Sequence, residues 1–166
     1  MNHPGTVEGL IGHADMNRNP SELIAYRHLR LGWLGLLVFV AMGGFLELLH
    51  GFKLGLYLDV SNESRRLLWT LAHAHGALLS LLQLGFAGTV LALPRWTGAS
   101  VEWASRCFIA SLILVPGGFF AGGLFTHGGD PGYGILLLPP GVLLLFVAVA
   151  ITLSSAQRTR PGGRDG

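Results

Sequence analysis

The stretch LGWLGLLVFVAMGGFLELLH, residues 31–50, decides the fold. Glu47 and His50 are its ionisable side chains. A helix rises about 1.5 Å per residue, so a run of this length covers the roughly 30 Å hydrocarbon core of a bilayer. Three further apolar runs follow, at residues 67–93, 104–125 and 134–153. The expected fold is therefore an all-α integral membrane protein, an antiparallel four-helix transmembrane bundle with short loops.

Composition agrees. The 166 residues are 51% hydrophobic and 12% charged, with a mean hydropathy of +0.53. An ordinary soluble domain carries about 25% charged residues. The sequence pI is near 9.1, but the net charge is only +2, and the basic residues flank the apolar runs. That pattern is one of membrane topology rather than nucleic-acid binding, and no nucleic-acid partner is expected. The one cysteine, Cys107, permits no intrachain disulfide, and no Cys-x-x-Cys-His pattern for covalent haem attachment is present.

Working outward, residues 1–18 read as a disordered cytoplasmic segment with no signal-peptide core, so no cleaved leader is expected. Asn19, Pro20 and Glu22 form a helix-start signal ahead of the first span. The spans fall within a transmembrane domain at 19–153, and residues 154–166 form a disordered basic tail. Pro139-Pro140-Gly141 is expected to kink the fourth span, and Trp33, Trp69, Trp96 and Trp103 read as interface anchors.

Basic residues set the orientation. Arg18, Arg27, Arg30, Arg95, Arg106, Arg158, Arg160 and Arg164 fall on one side, against Lys53, Arg65 and Arg66 on the other. The positive-inside rule then places both termini in the cytoplasm, with a bacterial inner membrane as the expected location.

This topology brings Glu47 and His50 at the end of span one, His73 and His75 at the start of span two, and His127 after span three to the outer leaflet. A charged side chain at the centre of a span costs roughly 2.5–3.5 kcal/mol on insertion scales, so such groups usually face the bundle interior and have a task. Glu47 and His50 have the Glu-x-x-His spacing used by carboxylate metal sites in bundles. His73 shares a helical stripe with Gly76, Ser80 and Gln83, whereas His75 lies about 200° further around among leucines. The two histidines are not expected to share one ion.

Glycines at 43, 44, 76, 117, 118, 122 and 123 give either close helix packing or room for a macrocycle. Two site models result. One is a b-type haem held by His73, His75, His127 and His50, with Lys53, Arg65 and Arg66 near the propionates; the other is a copper, iron or zinc ion held by Glu47, His50, His73 and His127. The window from Arg65 to Gly76, containing His73-Ala74-His75-Gly76, resembles the haem-ligand helix of haem-copper oxidase-like subunits.

The leading expectation is thus a metal- or haem-binding membrane protein for electron transfer or metal handling. The alternative is a non-catalytic accessory or structural subunit, packed against other subunits or a second copy through its glycine-rich faces. A third reading is a small proton-coupled transporter or channel relaying protons through Glu47 and His73. No catalytic residue is assigned, because there is no nucleophile–base pair and no phosphate loop.

Overall fold

The capping signal at Asn19 opens the first helix. Pro20 takes the first helical position, where its missing N–H has no partner to lose, and the Asn19 side chain accepts from the Ser21 amide at 3.3 Å. A computed structural model describes residues 19–54, 63–126 and 129–158. The disordered-segment reading for residues 1–18, His127 and the end of the tail lie outside the described residues.

Four helices follow one another: α1 (Pro20–Gly51), α2 (Glu63–Ala92), α3 (Ala99–Leu124) and α4 (Leu138–Arg158). Of the described residues, 88% are helical and none forms a strand. Each helix is long and apolar enough to cross a membrane, α4 with the short 3-10 segment that precedes it.

The helices extend beyond their apolar runs. α1 begins eleven residues before Leu31, and α2 takes in Ser64, Arg65 and Arg66. Pro139 and Pro140 do not interrupt α4 midway. A 3-10 turn over Tyr133–Leu137 leads into the helix, so both prolines fall in its first turn, where no intrahelical N–H is needed.

The helices stand in a row, α1 on α2, α2 on α3 and α3 on α4, with little contact between α1 and α3. The inner helices are accordingly the more buried: 39% and 44% of the most apolar windows of α2 and α3 lie inside, against 17% and 11% for the outer two. α1 meets α2 through small residues in register. Gly32 faces Leu84, Gly35 faces Ser80, Phe39 faces Gly76 and Gly43 faces His73, so the start of α1 lies against the end of α2. Gly118 and Gly141 bring α3 and α4 together in the same manner.

The main core lies where α1 begins, α2 ends and α3 begins. Ala25, Phe86, Val90, Trp96, Val101 and Phe108 pack there. The six-residue turn between α2 and α3 supports it. Gly98 adopts φ +80°, a left-handed conformation open to glycine, and the Trp96 amide donates to Leu93 O at 2.9 Å. From this end the groove between α1 and α3 runs along α2, an apolar trough of about 480 Å³ with Ala72 on its floor.

Candidate functional site: the histidine end and a buried polar junction

At the histidine end, α2 directs its two histidines to different neighbours. The His73 Nδ1–H donates across the interface to Phe39 O on α1 at 2.6 Å. The His75 Nδ1–H donates to Leu71 O within its own helix at 2.9 Å, and its ring lies 4.9 Å from that of Phe119 on α3. Their two-residue spacing therefore sends them to separate helix interfaces. Glu47 is exposed and shares a shallow groove of about 290 Å³ with His73, Gly43 and Thr70. His50 is exposed at the end of α1. Among the described residues, no group of three or more His, Cys, Asp or Glu side chains is arranged to hold a metal ion.

Neighbouring side chains fill the spaces that three of the glycines open. A methyl group on Gly43 would overlap the His73 ring, one on Gly76 would overlap Phe39, and one on Gly123 would overlap the Trp69 indole. These three glycines serve close packing rather than a macrocycle. Arg65 is similarly committed. Its Nε–H donates to Gly123 O at 3.1 Å and its Nη2–H to Thr126 Oγ1 at 3.3 Å, placing a cation against the C-terminal carbonyls of α3.

The densest buried polar network is at the opposite end, where α1, α2 and α3 converge. His28, Gln83 and Ser105 are each fully buried. The Arg27 Nη2–H donates to Ser105 Oγ at 2.5 Å, and the Ser105 hydroxyl donates to His28 Nε2 at 2.7 Å. The His28 Nδ1–H then donates to Gln83 Oε1, and the Gln83 amide donates to Phe108 O at 2.8 Å. The Gln83 amide oxygen only accepts, so His28 Nδ1 carries the proton there, and a neutral ring with Nε2 accepting from the Ser105 hydroxyl satisfies every contact. Phe86 packs edge-on against the ring at 4.5 Å.

Every link of this chain crosses between helices or ends on a backbone carbonyl. Among the described residues no buried side-chain nitrogen or oxygen lacks a partner. Such a satisfied network joins three helices and fixes their rotation about one another.

His28 precedes the apolar run that begins at Leu31 and has no role in the sequence-based site models, so this junction was missed. Its members come from three distant segments, so no single spacing in the sequence links them. A signal was present on α1: Ser21, Ala25, His28, Gly32 and Gly35 recur at helical spacing, one histidine within a small-residue stripe. Two tryptophans also differ from expectation. Trp69 and Trp96 are 8% and 5% exposed, with indole N–H groups donating to Phe120 O at 3.3 Å and Ser100 Oγ at 2.9 Å. Both belong to the packed interior because each finds a partner for its N–H there, whereas Trp33 and Trp103 are exposed. No protein-family model matches the chain, and no curated protein and no solved structure matches it.

Proposed function

We propose that the protein is an integral protein of a bacterial inner membrane, with four antiparallel spans and both termini in the cytoplasm, and that it is a non-catalytic accessory or structural subunit of a membrane complex. The orientation is supported by the basic residues. Arg27 and Arg30 lie in the first part of α1, Arg95 in the α2–α3 turn, Arg106 in the first part of α3 and Arg158 at the end of α4.

One observation carries the functional reading: the side chains with chemical potential hold helices together. His28, Gln83 and Ser105 satisfy one another, His73 binds a carbonyl of α1, and Arg65 binds the end of α3. Large apolar side chains such as Trp33, Leu37, Ile113, Leu143 and Phe146 remain exposed on α1, α3 and α4, surfaces suited to lipid and to neighbouring subunits.

The test is mild-detergent extraction from native membranes, native gel electrophoresis with mass spectrometry of the excised band, and an optical spectrum with iron, copper and zinc analysis on the same sample. A band larger than the 17.7 kDa chain and its detergent, with a stoichiometric partner subunit or second copy, is expected. A monomer in every mild detergent overturns the subunit reading.

A second reading rests on the groove shared by Glu47 and His73. With its Nδ1–H held by Phe39 O, His73 keeps Nε2 as its coordinating nitrogen, the arrangement usual for metal-ligating histidines. A metal or haem protein built on His73, with Glu47 as its groove neighbour, would show a stoichiometric ion or a Soret band that His73→Ala abolishes. Neither signal in the purified protein would overturn that reading.

A further inference from the structure

One face of α1 changes character at Leu31. Below it, Leu23, Tyr26, Arg27 and Arg30 border a crevice that ends at Leu31. Above it, Leu31 becomes the first residue of the apolar groove, whose α1 wall continues through Leu34, Val38 and Met42. These positions share one helical stripe, since they recur at three- and four-residue steps. The opposite wall is α3, from Leu112 to Phe120. Leu31 thus joins a basic crevice to an apolar trough.

From this continuity we propose that the α1–α3 groove is a binding site for a single anionic phospholipid of the cytoplasmic leaflet, its phosphate on Arg27 and Arg30 and one acyl chain in the trough. The proposal rests on the membrane-spanning reading and its orientation. Three features fit this occupant. The trough runs from residue 31 to residue 42 of α1, about 16 Å at 1.5 Å per residue, close to the roughly 15 Å hydrocarbon depth of one leaflet. Its lining is almost wholly apolar, which suits an alkyl chain along its full length.

The charge balance completes the match. Arg27, Arg30, Arg95 and Arg106 lie at this end against Glu22 and Glu102, and Glu102 is engaged by Arg106 at 3.5 Å. Ser105 holds one nitrogen of Arg27, fixing that guanidinium beside the crevice. Arginine at headgroup depth attracts anionic lipid. Tyr26 and Trp103, both about half exposed or more, lie at the same end and suit the interface.

Native mass spectrometry of the full chain tests the site, after exchange into detergent with dioleoyl phosphatidylglycerol or dioleoyl phosphatidylcholine as the probe. One phosphatidylglycerol retained with at least about fivefold preference is expected, since each arginine near anionic lipid contributes about that factor. Arg30→Gln should reduce the preference about fivefold without altering the helical circular dichroism. Ile113→Trp, at an exposed position on the groove wall, should lower retention of both lipids by blocking the chain. Equal retention of the two lipids, or no response to Arg30→Gln, overturns the site. Full displacement by inorganic phosphate overturns the chain-in-groove element. Carbonate washing of native membranes keeps the two readings apart: release of the protein overturns membrane insertion, whereas retention with no lipid preference overturns the lipid site alone.

Discussion

Replacing His28 by leucine is the most informative single perturbation of this molecule. The change removes the donor to Gln83 Oε1 and the acceptor of the Ser105 hydroxyl, and both partners are fully buried. A buried polar group left without a partner costs about 1–3 kcal/mol, so two of them set an upper bound near 6 kcal/mol. Hydrogen bonds between helices in lipid average about 0.6 kcal/mol and reach about 1.7, so two set a lower bound near 1.2 kcal/mol. Loss of the edge-on contact with Phe86 adds about 0.5–1.5 kcal/mol, part of which leucine restores by packing.

A destabilisation of about 3 kcal/mol is expected from these bounds. Gln83→Leu should show a smaller single effect, because Phe108 O also accepts from Ser111 at 2.9 Å. The decisive quantity is the coupling. With His28 already replaced, the Gln83 oxygen is an orphan, and removing it relieves a penalty; the second substitution should therefore cost at least about 1 kcal/mol less than it does alone. Equilibrium unfolding of the four proteins of this cycle in bicelles, followed by circular dichroism, measures it. Additivity within about 0.5 kcal/mol would show that His28 and Gln83 act independently and would refute the relay.

Three further predictions concern packing and access. Gly76→Val should destabilise by about 1–3 kcal/mol because any Cβ there overlaps Phe39, while Gly85→Ala, which meets nothing within 4 Å, should be neutral or stabilising by up to about 1 kcal/mol; thermal unfolding of the two variants should move in opposite senses or differ by several degrees. Cys107 is 5% exposed among Phe108 and its neighbours, so maleimide should modify it only after denaturation, and rapid labelling of the folded protein would contradict the core placement. Glu102→Ala removes the exposed pair with Arg106 and should change stability by less than about 0.5 kcal/mol in the same unfolding assay.

The helices were legible from sequence because each apolar run is bounded by its own punctuation. Asn19-Pro20 starts α1, Pro94 to Gly98 separate α2 from α3, and the glycine-rich segment around Asp130 precedes α4. The apolar spans are shorter than the helices because hydropathy marks the crossing and not the helix, whereas the Asn19-Pro20 signal places the start of α1 ahead of its span. Glu22, Arg27 and Arg30 are helical because they extend the register that the cap initiates. The prolines at 139 and 140 read as a kink because the position of the helix start, at Leu138 just before them, depends on the 3-10 turn rather than on composition.

Of the histidine end, the divergence of His73 and His75 was visible in their spacing, since angular position on a helix follows from residue number. Which neighbour each would meet was not, because that depends on the order of helices in the row. The buried junction was the least legible. Arg27, His28, Gln83 and Ser105 become neighbours only after three helices have docked, and each alone has an ordinary polar-surface reading.

The row arrangement has a consequence for biogenesis. Nearly every helix contact joins neighbours in the chain, so each new helix can settle against the one made just before it, without waiting for a distant partner. The buried junction is the exception, since Arg27 and His28 both reach Ser105 on α3. The His28 Nδ1 finds Gln83 once α2 is in place, but its Nε2 waits for Ser105 on α3. Without the third helix, α1 and α2 leave His28 Nε2 and the Arg27 guanidinium lacking the partner that Ser105 supplies to both. Ser105 answers both groups at once, so the junction is complete only when the third helix is seated.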